Sequence, residues 1–126
     1  FAACIHGHNS LGIDEARAAC QAAGYDDLAS IINEAEENFV GTLIKPLPED
    51  GIWLGLNDID TEDSFVWSDG SPLDWTNWLP GNPGDSKIGS NNFSGEDCVE
   101  YYLPAAKWND VSCDWDLDGT LCVKRP

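Results

Sequence analysis

The chain has 126 residues, the size of one domain, and at that length folding buries about two thirds of the surface of the unfolded chain. Six Lys and Arg stand against 23 Asp and Glu, a formal charge of −17 that repels phosphate backbones and anionic headgroups and so excludes nucleic acid and membrane surfaces as partners. Hydrophobic residues at 42%, aromatics at 10% and six Trp mark a foldable globular sequence rather than a disordered acidic tail.

No apolar run is long enough to span a bilayer, and a start at Phe1 rather than Met is what a matured or trimmed chain would show. The five cysteines lie at positions 4, 20, 98, 113 and 122, with no Cys-x-x-Cys spacing of a zinc knuckle or redox motif. Disulfides in an oxidising compartment, most simply outside the cell, are the expected use, with two bridges and one cysteine over. Cys4 is the candidate for the spare.

Helical signals come first. From Ile13 to Ala23, apolar Ala16, Ala19, Cys20 and Ala23 recur at steps of three and four, and Gly24 terminates the run. A second helix is expected from an Asn33 N-cap with Glu36 at its third position, through Phe39, Val40, Leu43 and Ile44, ending at Pro46 and Pro48. From Gly51 the pattern turns to short apolar runs broken by Gly, Pro, Asn and Asp. Trp53–Leu56, Phe65–Trp67 with an Asp69-Gly70 turn, and Cys98–Tyr102 read as strands, and Val111–Cys113 with Leu121–Lys124 as a closing hairpin. The stretch from Trp67 to Cys98 is too long for an ordinary connection, and its tryptophans at 67, 75 and 78 predict that it is pinned to the core.

Oxygen donors gather in three places: Asp58, Asp60, Glu62 and Asp63 after the first strand, Asp85, Glu96 and Asp97 around the long loop, and Asn109 with Asp110 before the fourth strand. Any single carboxylate is by default a solubilising surface group, but acids and amides placed at strand ends form a donor set for a hard cation such as calcium. His6 and His8 are the only imidazoles and fall in a segment expected to be a frayed terminus, so a transition-metal site is not expected. Asp114-Trp115-Asp116-Leu117-Asp118-Gly119 imitates the opening of an EF-hand loop, but its twelfth position is Arg125, so an acidic hairpin turn is expected there. Asn92-Phe93-Ser94 is a glycosylation sequon.

These residues resemble the C-type lectin-like domain family over nearly the whole chain. The matching stretches are Ala16-Arg17-Ala18-Ala19-Cys20 with Gly24, Leu28-Ala29-Ser30-Ile31, Glu37-Asn38-Phe39-Val40, Ile52-Trp53-Leu54-Gly55-Leu56 and Phe65-Val66-Trp67-Ser68-Asp69-Gly70. They continue through Trp75, Trp78, Gly95-Glu96-Asp97-Cys98-Val99, Trp108-Asn109-Asp110, Cys113 and Cys122. The resemblance implies a single α+β domain over residues 1–126, two helices with small antiparallel sheets and a long calcium-binding loop at about 68–97. It also implies bridges Cys20–Cys122 and Cys98–Cys113, leaving Cys4 as a free thiol or as a bond to another chain or segment, and an extracellular or secreted setting within a larger protein.

Carried over residue by residue, the family's auxiliary calcium site falls on Asp58, Glu62, Asp85 and Asp97 with the Glu96 carbonyl. The sugar-binding calcium site falls on Asn82, Glu96, Asn109 and Asp110. One departure stands out, since the family's proline-centred tripeptide is here Asn82-Pro83-Gly84 and its third ligand is missing. Asp85, after a one-residue shift, or Asn91 or Asn92 are the candidates to replace it. The expected function is calcium-dependent carbohydrate binding, with a non-sugar module for a protein, mineral or ice ligand as the alternative. Catalysis is not expected, because the paired acids coincide with calcium ligands and no nucleophile and His base can be assembled.

Overall fold

In the computed structural model, residues 2–44, 50–61, 64–81 and 97–125 are described. The chain opens with strand β1 (Ala2–Leu11) and passes into helix α1 (Ile13–Ala22). Glu15 accepts a hydrogen bond from the Gly12 N–H at 3.1 Å, satisfying a donor at the helix start. Ala16 and Cys20, one turn apart, are its buried residues, and Gly24 takes a φ of 95° just past its end. The short strand β2 (Asp27–Leu28) leads to α2 (Glu34–Ile44). Asn33 Oδ1 accepts from the Glu36 N–H at 2.9 Å, which is the expected N-cap. Pro46 and Pro48, expected to end this helix, lie outside the described residues.

Strands β3 (Gly51–Asn57), β4 (Val66–Trp67), β5 (Cys98–Tyr102), β6 (Lys107–Val111) and β7 (Leu117–Lys124) complete the fold. The strands join in one sheet of order β1-β7-β3-β5-β6, with β2 on β7 and β4 on β3. All its pairings are antiparallel except β3 with β7, which meet in parallel at Trp53 and Thr120. β3 crosses close beneath the segment after β2: the Gly55 N–H donates to the Ala29 carbonyl at 2.9 Å. A Cβ on Gly55 would lie 3.0 Å from both the Leu28 and Ala29 carbonyl oxygens, so the glycine of Trp53-Leu54-Gly55-Leu56 is what permits the approach.

The strand alternation sorts side chains into two buried clusters. Val99, Tyr101, Trp108, Ile52, Leu54 and Val40 belong to the larger, with Trp75 and Trp78 half-buried against it. Cys98, Val111, Trp53, Cys122 and the α1 residues Ala16 and Cys20 form the smaller. Both disulfides lie there: Cys20 bridges Cys122 across 102 residues, and Cys98 bridges Cys113 across 15. Cys4, half-buried, takes part in neither.

Three expectations need correction. The N-terminal segment of His6 and His8 is not frayed but forms β1, paired with β7 from Ala2↔Lys124 to Leu11↔Leu117 and tied down by the Trp53 indole N–H, which donates to the Leu11 carbonyl at 3.0 Å. The closing hairpin does not form: Val111 ends β6, which pairs with β5, whereas β7 pairs with β1, β2 and β3. The acidic turn is shorter than expected, because Leu117, Asp118 and Gly119 already belong to β7. The physical reason is shared. The partner of β7 is β1, more than 100 residues away in sequence, and local patterning carries no signal of so distant a pairing.

Candidate functional site

β3 and β5 pair up to Asn57↔Cys98, and the ladder goes one step further: the Asp58 N–H donates to the Asp97 carbonyl at 3.0 Å. Strand pairing therefore brings together two acids 39 positions apart. Each is backed by a firm neighbour, Asp97 by the Cys98–Cys113 bridge and Asp58 by Asn57, whose Oδ1 accepts from the Ile59 N–H at 3.1 Å in a tight turn. Asp58 is 1% exposed. Oδ1 of Asp97 is shielded from solvent and has no hydrogen-bond partner among the described residues. An acid oxygen withdrawn from water without a compensating donor is costly unless a cation meets it. The Asp97 environment thus fits a hard cation bound through oxygen.

The second group of donors sits on β6, at the edge of the sheet. Trp108, wholly buried, donates its N–H to the Asn77 carbonyl and accepts the Leu79 N–H, each at 2.8 Å, so residues 77–79 flank that edge. Lys107 Nζ holds Asn77 Oδ1 at 2.9 Å, and Asn77 Nδ2 donates to the Ala106 carbonyl at 3.0 Å, fixing the beginning of the loop against the strand. By the alternation of a strand, Asp110 turns its main chain to the same edge as Trp108. Its side chain, 1% exposed, falls on the face of Val99, its cross-strand partner. Asn109 falls on the opposite face, where its Nδ2 donates to Glu100 Oε2 at 2.8 Å. Asn109 and Asp110 therefore flank one strand edge from both sides, and side chains and main chain can converge there.

Of the sequence-named ligands, Asp58, Asp97, Asn109 and Asp110 lie within a few residues of the same end of β5. Glu62, Asn82, Asp85 and Glu96 lie outside the described residues, as do Asp63, Pro83, Gly84, Asn91 and Asn92. Among the described residues alone, no three His, Cys, Asp or Glu side chains form a metal-holding group.

Two glutamates of consequence were not singled out from the sequence. Glu100 is 6% exposed; burial pushes its carboxyl above the usual range, the Asp50 charge adds to this, and the Asn109 hydrogen bond opposes it. Glu37 on α2 accepts a hydrogen bond from the Tyr101 hydroxyl, and burial raises its carboxyl too. The same pairing, with burial the larger cause, pushes the Tyr101 phenol up. The available signal was a lone charge within the apolar run Cys98-Val99-Glu100-Tyr101. Among the remaining aromatic residues, Tyr101 is core, Tyr102 half-buried and Trp115 47% exposed.

An α+β fold of this strand order, with two helices and both disulfides in place, is that of a C-type lectin-like domain. The Lectin C-type domain family model matches residues 9–124, and the chain belongs to that family. It is 40% identical over 112 residues to human (Homo sapiens) C-type mannose receptor 2, covering 87% of this chain and 7% of the receptor. It is 39% identical over 95 residues to the mouse (Mus musculus) low affinity immunoglobulin epsilon Fc receptor, covering 75% of this chain and 26% of that protein. The chain thus spans only a small part of these curated relatives. Among solved structures, the cow C-type carbohydrate-recognition domain of CD23, determined in the presence of a GlcNAc2Man3 oligosaccharide, superposes with a TM-score of 0.77 at 36% identity, over 97% of this chain and 88% of that one.

Proposed function

We propose that residues 1–126 form one extracellular, calcium-dependent carbohydrate-binding domain. Asp58, Glu62, Asp85 and Asp97, with the Glu96 carbonyl, hold a loop-ordering ion, and Asn82, Glu96, Asn109 and Asp110 surround the ion that takes the sugar. The observation that carries the reading is Oδ1 of Asp97, buried beside Asp58 without a hydrogen-bond donor among the described residues. The relative solved with an oligosaccharide supports the choice of ligand. When bound, calcium would supply a centre at which two vicinal hydroxyls could take the place of water. The residues of the chain supply the rest: a carboxylate such as Asp110 accepts a hydrogen bond from a hydroxyl, and the Asn109 amide donates to a hydroxyl oxygen, so each hydroxyl is held from both sides. The role is binding and not catalysis.

A glycan array read with calcium and with chelator tests this. Calcium-dependent signal at high valency is expected, and its absence would refute sugar binding. Gly84, in place of the third ligand of the proline-centred tripeptide, favours a second reading in which calcium only orders the loop and the ligand is a protein, mineral or ice surface. That reading predicts ligand binding unchanged by Asn109→Ala and Asp110→Ala.

A further inference from the structure

Resting on the proposed sugar site, we infer that Glu100 is its positioning residue: the buried carboxylate captures Nδ2 of Asn109 and thereby fixes which end of that amide is offered to the ligand. The amide of an asparagine has two ends, and only Oδ1 can ligate a metal. A rotation of half a turn about the side-chain bond would put Nδ2 in its place and present donor protons to a cation. Glu100 removes that choice. The atom facing Glu100 Oε2 at 2.8 Å is the nitrogen, which donates to the carboxylate oxygen, and Oδ1 is turned away from it. One Nδ2 proton is committed to Glu100.

The placement of Glu100 is built into the sheet. Glu100 lies directly across the β5–β6 ladder from Asn109, so both side chains rise from the same face. On its other side it pairs with Trp53 of β3, and its carboxylate reaches along that strand to Gly51. A Cβ on Gly51 would overlap Glu100 Oε1, so the missing side chain of Gly51 is the slot that admits the carboxylate. A carboxylate 6% exposed is an unfavourable thing to bury. A purely structural role would be served as well by an apolar residue on this face, which also carries Cys98 and Val111.

The test is a double-mutant cycle read by calcium titration calorimetry, together with the side-chain amide resonances of Asn109 in calcium-free protein. In Glu100→Leu, the calcium binding that depends on Asn109 is expected to weaken about tenfold, the worth of one charge-assisted hydrogen bond. Glu100→Gln, which retains an acceptor oxygen, should recover most of that loss. In an Asn109→Ala background Glu100→Leu should change nothing further. The Asn109 amide protons should shift downfield in wild type and Glu100→Gln and collapse to solvent-like values in Glu100→Leu. Gly51→Ala, remote from the ligands, should reproduce that collapse by expelling the carboxylate, which keeps the test alive if Glu100→Leu fails to fold. Losses that add in the double variant, or an Asn109 signature unchanged in Glu100→Leu, would overturn the role of Glu100 alone. Wild-type calcium binding indifferent to Asn109→Ala would instead overturn the sugar-site reading and the inference with it.

Discussion

The carboxylates around Arg125 meet a cation of the chain itself, whereas the buried Oδ1 of Asp97 has no hydrogen-bond partner among the described residues. Arg125 binds Glu36 through both guanidinium amino groups at 2.8 Å, lies 3.5 Å from Asp69 through Nε, and donates to Ser30 Oγ at 2.8 Å. The fork geometry matches a planar carboxylate, and the side chains are mostly shielded, 21% and 12% exposed for Arg125 and Glu36. The consequence shows in the titration of Glu36. Burial acts to raise its carboxyl, but the Arg125 hydrogen bonds and charge and the Ile32 N–H outweigh it and hold the group below the usual range. At Asp97 the corresponding buried oxygen has no donor among the described residues. The contrast separates a carboxylate cluster neutralised by an arginine from a buried acid oxygen with no donor among the described residues.

The largest expected effect breaks the first cluster. Arg125→Met leaves Glu36 and Asp69 without their partner and should cost about 3 kcal/mol, measured by urea unfolding, by the same amount with and without calcium. Next comes the second cluster: saturation with calcium at about 100 times its dissociation constant should stabilise the wild type by about 2.7 kcal/mol for each site, and Asp97→Ala should remove the share of the increment in melting temperature that its own site supplies. If Arg125→Met removed the calcium response and Asp97→Ala did not, the division between the clusters would be wrong.

Acid sharpens the same contrast. Because the folded-state pKa of Glu36 is lowered, its contribution is present above the unfolded carboxylate value of about 4.3 and is lost as pH falls through the lower folded value. Wild type should lose stability in that window more steeply than Arg125→Met, as followed by thermal melts. The smallest effect belongs to Glu37, whose raised pKa has the opposite sign. Its contribution is greatest below the unfolded value and declines as pH rises through the folded one. Glu37→Gln should therefore match wild type near pH 4 and exceed it near pH 7, by on the order of 1 kcal/mol. An advantage that shrinks with rising pH would contradict the assignment.

The sequence was most legible where structure is local. The helix periods, the Asn33 cap and the Gly24 stop depend on neighbours a few positions away, and the structure has all three. The family motif located Asp58, Asp97, Asn109 and Asp110, and strand pairing brings them to one end of β5. What escaped was non-local. β1 shows no clean alternation in Cys4-Ile5-His6-Gly7-His8, and only its pairing with β7 makes it a strand. Arg125 was read as a failed EF-hand position, although its partners Glu36 and Asp69 lie 89 and 56 residues earlier in the chain. Glu100 and Glu37 were missed because a buried acid is recognised by what surrounds it in space.

The most direct measurement is the calcium stoichiometry of the folded chain by titration calorimetry near neutral pH, for wild type, Asp97→Ala and Asp110→Ala. Two sites in wild type, with one lost separately in each variant, is the expected result. A wild type that takes up no calcium, or whose binding survives both substitutions, would contradict the account.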